Sequence, residues 1–383
     1  MSDKTTISED APNPALAVTA GEGRAKKPGL HSFLKTVGSV NASDLHLKAD
    51  TVPRVRIGGD LKTLKTEALS NDDIERLVEE ILTPAQLDEY RARGSLDMAY
   101  AMNRTERFRI NIFRQRGYTS LAARRINPRI PNYAELHLPP VLHKIAEVEQ
   151  GLILLSGITG SGKSTTIAAM IEQINASRAV HIVTVEDPIE YSYVDKKAFI
   201  NQREVGIDCE SYELAVRSLM REDPDVIVIG EMRDRNTLQA AIQAAETGHL
   251  VFSTIHASSA PGALTRILEL FPQDQHTQIR QAMAANLQAI IYQKLVPCLD
   301  TKVKRVPVVE VMLQSPSVRK FIQEGREDEL TSVIRNERGT GMIDFNDMLA
   351  ELVQKEIIAS KEALLASPNP DELRMRMKGI NTS

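Results

Sequence analysis

Two hydrophobic rhythms divide the chain. Up to about residue 126 the segments are short and alternate apolar with polar positions. "SDLHLK" and "PRVRIGG" read as half-exposed strands. "SNDDIERLVEEIL" places Ile74, Leu77, Val78 and Ile81 on one helical stripe, with Ser70 or Asn71 as its cap. "TPAQLDEY" starts a second helix, capped by Thr83 with Pro84 at its first position. "LDMAYAM", "RFRINIF" and "TSLAARRI" supply further strands, and Pro128, Pro131, Pro139 and Pro140 then mark a connecting stretch.

From about residue 150 the rhythm changes. The apolar runs "GLILLSG", "HIVTVED", "DVIVIGEM" and "HLVFSTIH" are continuous rather than alternating. Between them lie helical periods, one carrying Ile167, Met170, Ile171 and Ile174 and another carrying Leu238, Ala241, Ile242 and Ala245. Apolar strands separated by helices predict an α/β domain with a mainly parallel sheet covered on both faces. After about residue 310 the chain reads helical and ends in polar residues. The expected organisation is a disordered tail (1–28), a small α+β domain (29–126), a linker (127–150), an α/β domain with C-terminal helices (151–366) and a C-terminal tail (367–383).

Composition narrows the classes. With 383 residues, 42% hydrophobic and 26% charged, the chain is an ordinary soluble globular type with room for two cores. Tryptophan is absent and the net charge is −4, so stacking platforms and broad electrostatic attraction for nucleic acid are disfavoured. Cys209 and Cys298 lack a Cys-x-x-Cys partner, which excludes a four-cysteine zinc clip and fits a reduced cytoplasmic chain. No basic-then-apolar signal pattern opens the sequence, and the apolar runs fall far short of the roughly 20 residues needed to cross a bilayer. Membrane association is therefore expected to be peripheral.

The most specific signal is "GITGSGKST", which matches G-x-x-x-x-G-K-[ST] between an apolar strand and an amphipathic helix. Such glycines let backbone N–H groups curl around phosphates at the positive end of the following helix. The expected nucleotide contacts are Gly157, Thr159, Gly160, Ser161, Gly162, Lys163, Ser164 and Thr165. Lys163 would reach the β- and γ-phosphates and Ser164 would ligate Mg²⁺. A mere glycine-rich turn would not come with both flanking elements.

Hydrolysis also needs groups that orient water and hold metal. "DPDVIVIGEMRD" is expected to lie beside the first strand and present Glu231 to polarise the attacking water. "TVEDPIEY" offers Glu186, Asp187 and Glu190, with Glu186 the choice for supporting Mg²⁺ or the water. His256 closes a further strand and is positioned to sense the γ-phosphate, whereas His249 reads as structural. One concentration of charge stays outside this set: "ERFRINIFRQRG" (106–117). Strand alternation puts Arg107 and Arg109 on one face and Arg114 and Arg116 on the other. A solvated sheet face would account for them equally well.

In order along the chain, these blocks resemble the Walker A, Asp, Walker B and His boxes of the secretion-superfamily ATPases that power type II secretion and type IV pili. The resemblance runs from about residue 30 to the end. It implies a PAS-like N-terminal domain, a RecA-like C-terminal domain, a homohexameric ring, and ATP with Mg²⁺ as cofactors. It also implies a cytoplasmic motor at the inner face of the bacterial inner membrane, acting on the platform protein under the pilus. Assembly and secretion members usually add an N-terminal domain and a four-cysteine zinc insert, for which this chain has neither room nor cysteines. The short form is similar to the twitching-motility retraction branch, of PilT and PilU type. "MREDPDVIVIGEMRD" is closer to the PilT type, "QKLVP" and "SPNPDELRMRMK" resemble the PilU type, and "SVRKFIQE" is a diverged version of the short retraction helix; on balance the lean is to PilU. In that branch, arginines from the PAS-like domain reach the nucleotide, which carries over to Arg109 in "RFRIN" and Arg124 in "LAARRIN". Two alternatives stay open: a weakly active accessory ATPase docking on a paralogous retraction ATPase, and a nucleic-acid-stimulated motor.

Overall fold

In the computed structural model the chain divides into two compact units, Met1–Pro128 and Arg129–Ser383. The structure describes residues 28–103, 106–127, 129–300 and 303–379. Nearly all of the tail expected over 1–28 lies outside them.

The first unit contains α1 (Leu30–Ser39), β1 (Asp44–Lys48), β2 (Arg54–Ile57), β3 (Asp60–Thr63), α2 (Asn71–Glu79), α3 (Pro84–Arg93), β4 (Ser95–Ala101), β5 (Arg107–Gln115) and β6 (Tyr118–Arg125). Its strands form an antiparallel sheet in the order β3-β2-β1-β6-β5-β4. Helix α2 begins with a capping box between Ser70 and Asp73, and α3 with one between Thr83 and Gln86 followed by Pro84. Phe33, Leu45, Leu77, Phe108, Ile110 and Leu121 are fully or almost fully buried in the core. Because Phe108, Ile110 and Ile112 take that side of β5, Arg107 and Arg109 fall on the opposite one. Arg114 lies with its guanidinium 5.8 Å from the Tyr90 ring centre. Arg116 does not share its face as alternation suggested. It sits in the hairpin turn with φ +52°, ahead of Gly117 at +86°.

The second unit starts with α4 (Val141–Ala146), β7 (Gly151–Ser156), α5 (Lys163–Ser177), β8 (His181–Glu186), β9 (Phe199–Glu204), α6 (Tyr212–Leu219), β10 (Val226–Ile229), α7 (Arg235–Glu246) and β11 (Leu250–Ile255). It continues with α8 (Ala260–Leu268), α9 (His276–Asn286), β12 (Leu287–Pro297), β13 (Arg305–Leu313), α10 (Pro316–Glu324), α11 (Leu330–Asn336), α12 (Phe345–Gln354), α13 (Ser360–Ala366) and α14 (Pro370–Met377). The sheet order is β13-β12-β7-β11-β10-β8-β9, parallel except for β12 with β13. This corrects one expectation: β10 does not lie beside β7. Strand β11 is inserted between them and pairs with both, Ser253 standing opposite Ile229 on one side and Leu154 on the other.

Two stretches expected to be loose are folded. Within 127–150, Tyr133, Leu138, Leu142 and Ile145 are buried against β7 and α5, so this stretch is part of the second unit's core. Within 367–383, α14 buries Leu373 completely. The Arg376 side chain of α14, 5% exposed, pairs with Asp344, Asp347 and Glu372. A polar composition hid a helix whose arginine is satisfied by carboxylates instead of water. Among the described residues, no helix is long and apolar enough to cross a membrane.

On β13, Glu310 is 5% exposed and accepts from the Ala260 N–H, at the start of α8, at 2.6 Å. Burial pushes its carboxyl up to about 7, from an ordinary 4.5. Across that window the folded chain keeps a proton that the unfolded chain has lost, so this group makes stability fall as pH rises. Glu310→Gln keeps an acceptor but cannot ionise. It should flatten the pH dependence of the unfolding free energy, measured by urea titration, between pH 4.5 and about 7 by on the order of 2 kcal/mol. An unchanged profile would show that the side chain is solvated.

Candidate active site

The parallel register aligns the C-terminal ends of β7, β11 and β10, so the residues just beyond the three strands meet at one edge of the second unit. After β7 comes the loop from Gly157 to Gly162, after β10 come Gly230 and Glu231, and after β11 comes His256. Thr159, Gly160, Gly162, Gly230, Glu231 and His256 line a cleft of about 500 Å³ together with Lys163, Ser164, Thr165 and Glu186, while Gly157 and Ser161 stand behind the lining.

The loop's glycines answer to close neighbours. Gly157 has φ +142°, and a Cβ there would stand 2.3 Å from the Gln293 carbonyl oxygen. Gly162 has φ +87°, and its Cβ would stand 2.8 Å from Gln293 Nε2. Lys163, at the first position of α5, is buried and donates to the carbonyls of Gly157 at 2.8 Å and Ile158 at 3.0 Å. Burial lowers its ammonium from the usual range, against the opposing charges of Glu231 and Glu190.

Glu231 is gripped from two sides. One oxygen is 2.9 Å from His256 Nε2 and the other accepts from Arg233 at 2.7 Å. Partial burial would raise its carboxyl, but the Arg233 bond and charge, with His256 and Lys163, outweigh it and hold it below the ordinary range. His256 Nδ1 lies 3.0 Å from the Gly157 carbonyl. Its two ring nitrogens thus face two acceptors, a carbonyl and a carboxylate. Arg233, Glu231, His256, Gly157 and Lys163 thus form one continuous polar chain around the cleft.

Glu186 ends β8 and accepts from Thr184 Oγ1 at 2.8 Å and Gln202 Nε2 at 3.3 Å. Enclosure pushes its carboxyl up to about 7 despite these donors. Asp187 and Glu190 line the same cleft, and Thr165 Oγ1 meets the Tyr191 hydroxyl at 2.9 Å. The residues expected at this site therefore assemble, with two qualifications. Gly157 serves as an acceptor and a close-approach point behind the lining. The Ser161 carbonyl is turned away to accept from Gln293 Nε2 at 2.7 Å. His249 faces the Ala244 carbonyl at 2.9 Å, closing the end of α7, in line with a structural role.

Arg109 and Arg124 belong to the first unit, where they stand directly opposite each other on β5 and β6. Arg124 donates to Asp44 at 2.8 Å while 74% exposed, and the Arg109 side chain makes no hydrogen bond or ion pair among the described residues. Sequence reasoning missed Arg233, Gln293 and Tyr212, whose hydroxyl would lie 2.7 Å from a Cβ on Gly230. Arg233 was legible in principle, two residues beyond Glu231 where the strand has ended. Gln293 and Tyr212 carried no local signal.

The family model "Type II/IV secretion system protein" matches residues 27–365. The type IV pilus ATPase PilU of Pseudomonas aeruginosa is 36% identical over 346 residues, covering 90% of this chain and 90% of the relative. The type IV pilus retraction ATPase PilT of the same organism is 36% identical over 322 residues, covering 84% and 93%. The crystal structure of the pilus retraction motor PilT with bound ADP superposes with a TM-score of 0.84 at 38% identity, covering 91% of this chain and 99% of that one.

Gly157→Ala would put a methyl group where the Gln293 carbonyl already stands and force a left-handed backbone on alanine. It should destabilise the second unit by about 2–4 kcal/mol. Thermal unfolding measures this, and a loss below about 0.5 kcal/mol would mean that β12 yields freely.

Proposed function

The chain belongs to the type II/IV secretion system protein family, and from that premise we propose that it is an ATP-hydrolysing motor of type IV pilus retraction. It is a P-loop ATPase of mixed α/β fold, converting ATP and water to ADP and phosphate. The observation that carries the reading is the polar chain from Lys163 through the Gly157 carbonyl and His256 to Glu231, with Lys163, His256 and Glu231 lining one cleft.

Each residue then has a physical task. The loop from Thr159 to Gly162 and the first turn of α5, through Thr165, present backbone N–H groups to the β- and γ-phosphates. Lys163 exchanges two carbonyls for phosphate oxygens, a stronger partner for an ammonium already short of solvation. Glu231, held anionic, accepts a hydrogen bond from the attacking water, and His256 relays the state of the γ-phosphate between loop and carboxylate. The cleft fits Mg²⁺: the Ser164 hydroxyl lines it beside Glu186, Asp187 and Glu190, hard oxygen donors suited to a cation held mainly by phosphate and water. Ser164 and Glu186 would hold the ion, whose charge would offset that of the transferring phosphoryl group.

The charge still missing is supplied by Arg109 and Arg124 of the first, PAS-like unit, completing sites within a homohexameric ring of RecA-like domains. Closing and reopening that supply as ATP is consumed moves the inner-membrane platform protein under the pilus, from the cytoplasmic side. A paralogous retraction ATPase is a further partner of this reading, and no nucleic acid is involved.

Purified protein should hydrolyse ATP, with Glu231→Gln slower by about 10²–10³ and Arg109→Ala by about 10³ or more, both still binding nucleotide. Unchanged turnover in either variant removes that residue from the mechanism. Deleting the gene should leave surface fibres that accumulate and do not retract; bald cells would indicate assembly instead.

A further inference from the structure

We propose that Gln293, on β12, is a positioning residue that sets the phosphate loop in its nucleotide-accepting shape from behind. The inference rests on reading the cleft as a nucleoside triphosphate site. Gln293 is 2% exposed, and both ends of its amide are engaged. Nε2 donates to the Ser161 carbonyl at 2.7 Å, and Oε1 accepts from Thr166 Oγ1, in the first turn of α5, at 2.8 Å. One rigid planar group therefore ties the loop to the helix beyond it.

The consequence comes from peptide geometry. In a planar trans peptide the C=O and the next N–H point in opposite directions. Anchoring the Ser161 carbonyl toward β12 therefore turns the Gly162 N–H away from β12. Gly162 lines the cleft, so this N–H is offered to an anion before any ligand arrives. Without the anchor, the peptide between residues 161 and 162 could rotate about a glycine with little resistance. The carbonyl, a negative dipole end, would then face the phosphates. Gln293 acts through the backbone and touches no reacting atom. Its strand also holds the loop at close range, since the Gln293 carbonyl itself excludes a side chain at Gly157.

Two substitutions separate this from a packing role. Gln293→Met keeps the volume and removes both hydrogen bonds. Gln293→Glu keeps the acceptor for Thr166, but regains the donor to Ser161 only when its acid is protonated. ADP affinity would be measured by calorimetry at about pH 6 and about pH 8, limits chosen because a buried acid titrates upward of its ordinary range. Unfolding curves report the folded fraction, and Lys163→Ala serves as the control. Gln293→Met should bind ADP about tenfold more weakly than wild type at both pH values, the cost of one misdirected polar contact. Gln293→Glu should match that deficit at about pH 8 and recover to within about threefold of wild type at about pH 6, where its acid is protonated. Should Gln293→Met fail to fold, Thr166→Val tests the other end of the amide, with affinity lower by about threefold. Wild-type affinity in folded Gln293→Met or in Thr166→Val overturns the proposal, as does a Gln293→Glu deficit that ignores pH. Failure of the wild-type chain to bind ADP, or undiminished binding in Lys163→Ala, would instead overturn the nucleotide site itself, and this inference with it.

Discussion

The carbonyl oxygen of Gly157 accepts from Lys163 Nζ at 2.8 Å and faces His256 Nδ1 at 3.0 Å. Two donors able to carry positive charge share one backbone acceptor at the tip of β7. The oxygen cannot be displaced far, because the loop at Gly157 is pressed against the Gln293 carbonyl on the neighbouring strand. An anion that draws the ammonium away leaves His256 as the oxygen's principal partner. The imidazole, bonded at its other nitrogen to Glu231, carries that change to the far side of the cleft. Binding at the loop and the placement of the Glu231 carboxylate are in this way one hydrogen-bonded system. Such chains respond as units, since each bond polarises the next.

That system exists only because of the strand order. With β11 between β7 and β10, the residue after β11 falls midway between the phosphate loop and the residue after β10. Had β10 paired directly with β7, Glu231 would stand at the loop's side with no room for an intervening imidazole. The parallel register, carried by side chains such as Leu154, Phe252 and Ile227 with no exposed surface, fixes the three strand ends to one level. The core thus does for the site what no loop could: it holds the donors within hydrogen-bond reach before any substrate is present. On the other flank, β12 returns parallel to β7 and contributes Gln293, so the loop is braced from both neighbouring strands.

How much of this was legible in the sequence depended on whether the information was local. The phosphate loop, the capped helices and the four apolar core strands each declare themselves within a dozen residues, and they were readable. The order of those strands is a long-range property. "DVIVIG" looks the same beside β7 as beside β11, and adjacency read from sequence order was wrong. Polar residues that face inward were the other blind spot. Gln293 lies in "IYQKLVP", where it and Lys294 interrupt an apolar run and nothing local says that the glutamine faces inward. Arg376 lies in a segment whose composition resembles a tail, yet the helix folds because Asp344 and Glu372 meet its guanidinium. Both cases invert the rule that polar means outside, and the inversion is visible only with the partner in place. The stretch 127–150 misled for a different reason. Its prolines suggested a connector, but Tyr133, in a turn, and Leu142, in α4, are both buried in the core.

The arginines of the first unit yield to the same kind of accounting. Register places Arg56, Asp44, Arg124 and Arg109 side by side across four neighbouring strands. The Asp44 carboxylate sits between two guanidinium groups, 2.8 Å from Arg124 and 3.8 Å from Arg56. Burial would raise the Asp44 carboxyl, but its bonds from Arg124 and Ser43 outweigh that and hold it below the usual range. Arg124 itself is 74% exposed, and an ion pair in that setting contributes only about 0–1 kcal/mol. Losing Arg124 would not strand Asp44, which keeps Ser43 at 2.7 Å and Arg56 nearby. Under the proposed mechanism the exchange of a carboxylate for a phosphate at Arg124 is therefore cheap, and Arg109 beside it has no pair to break. A group that must engage and release a charged ligand in every cycle is best held weakly when idle. The row of strands provides such a weak hold, with Asp44 keeping the Arg124 guanidinium aligned.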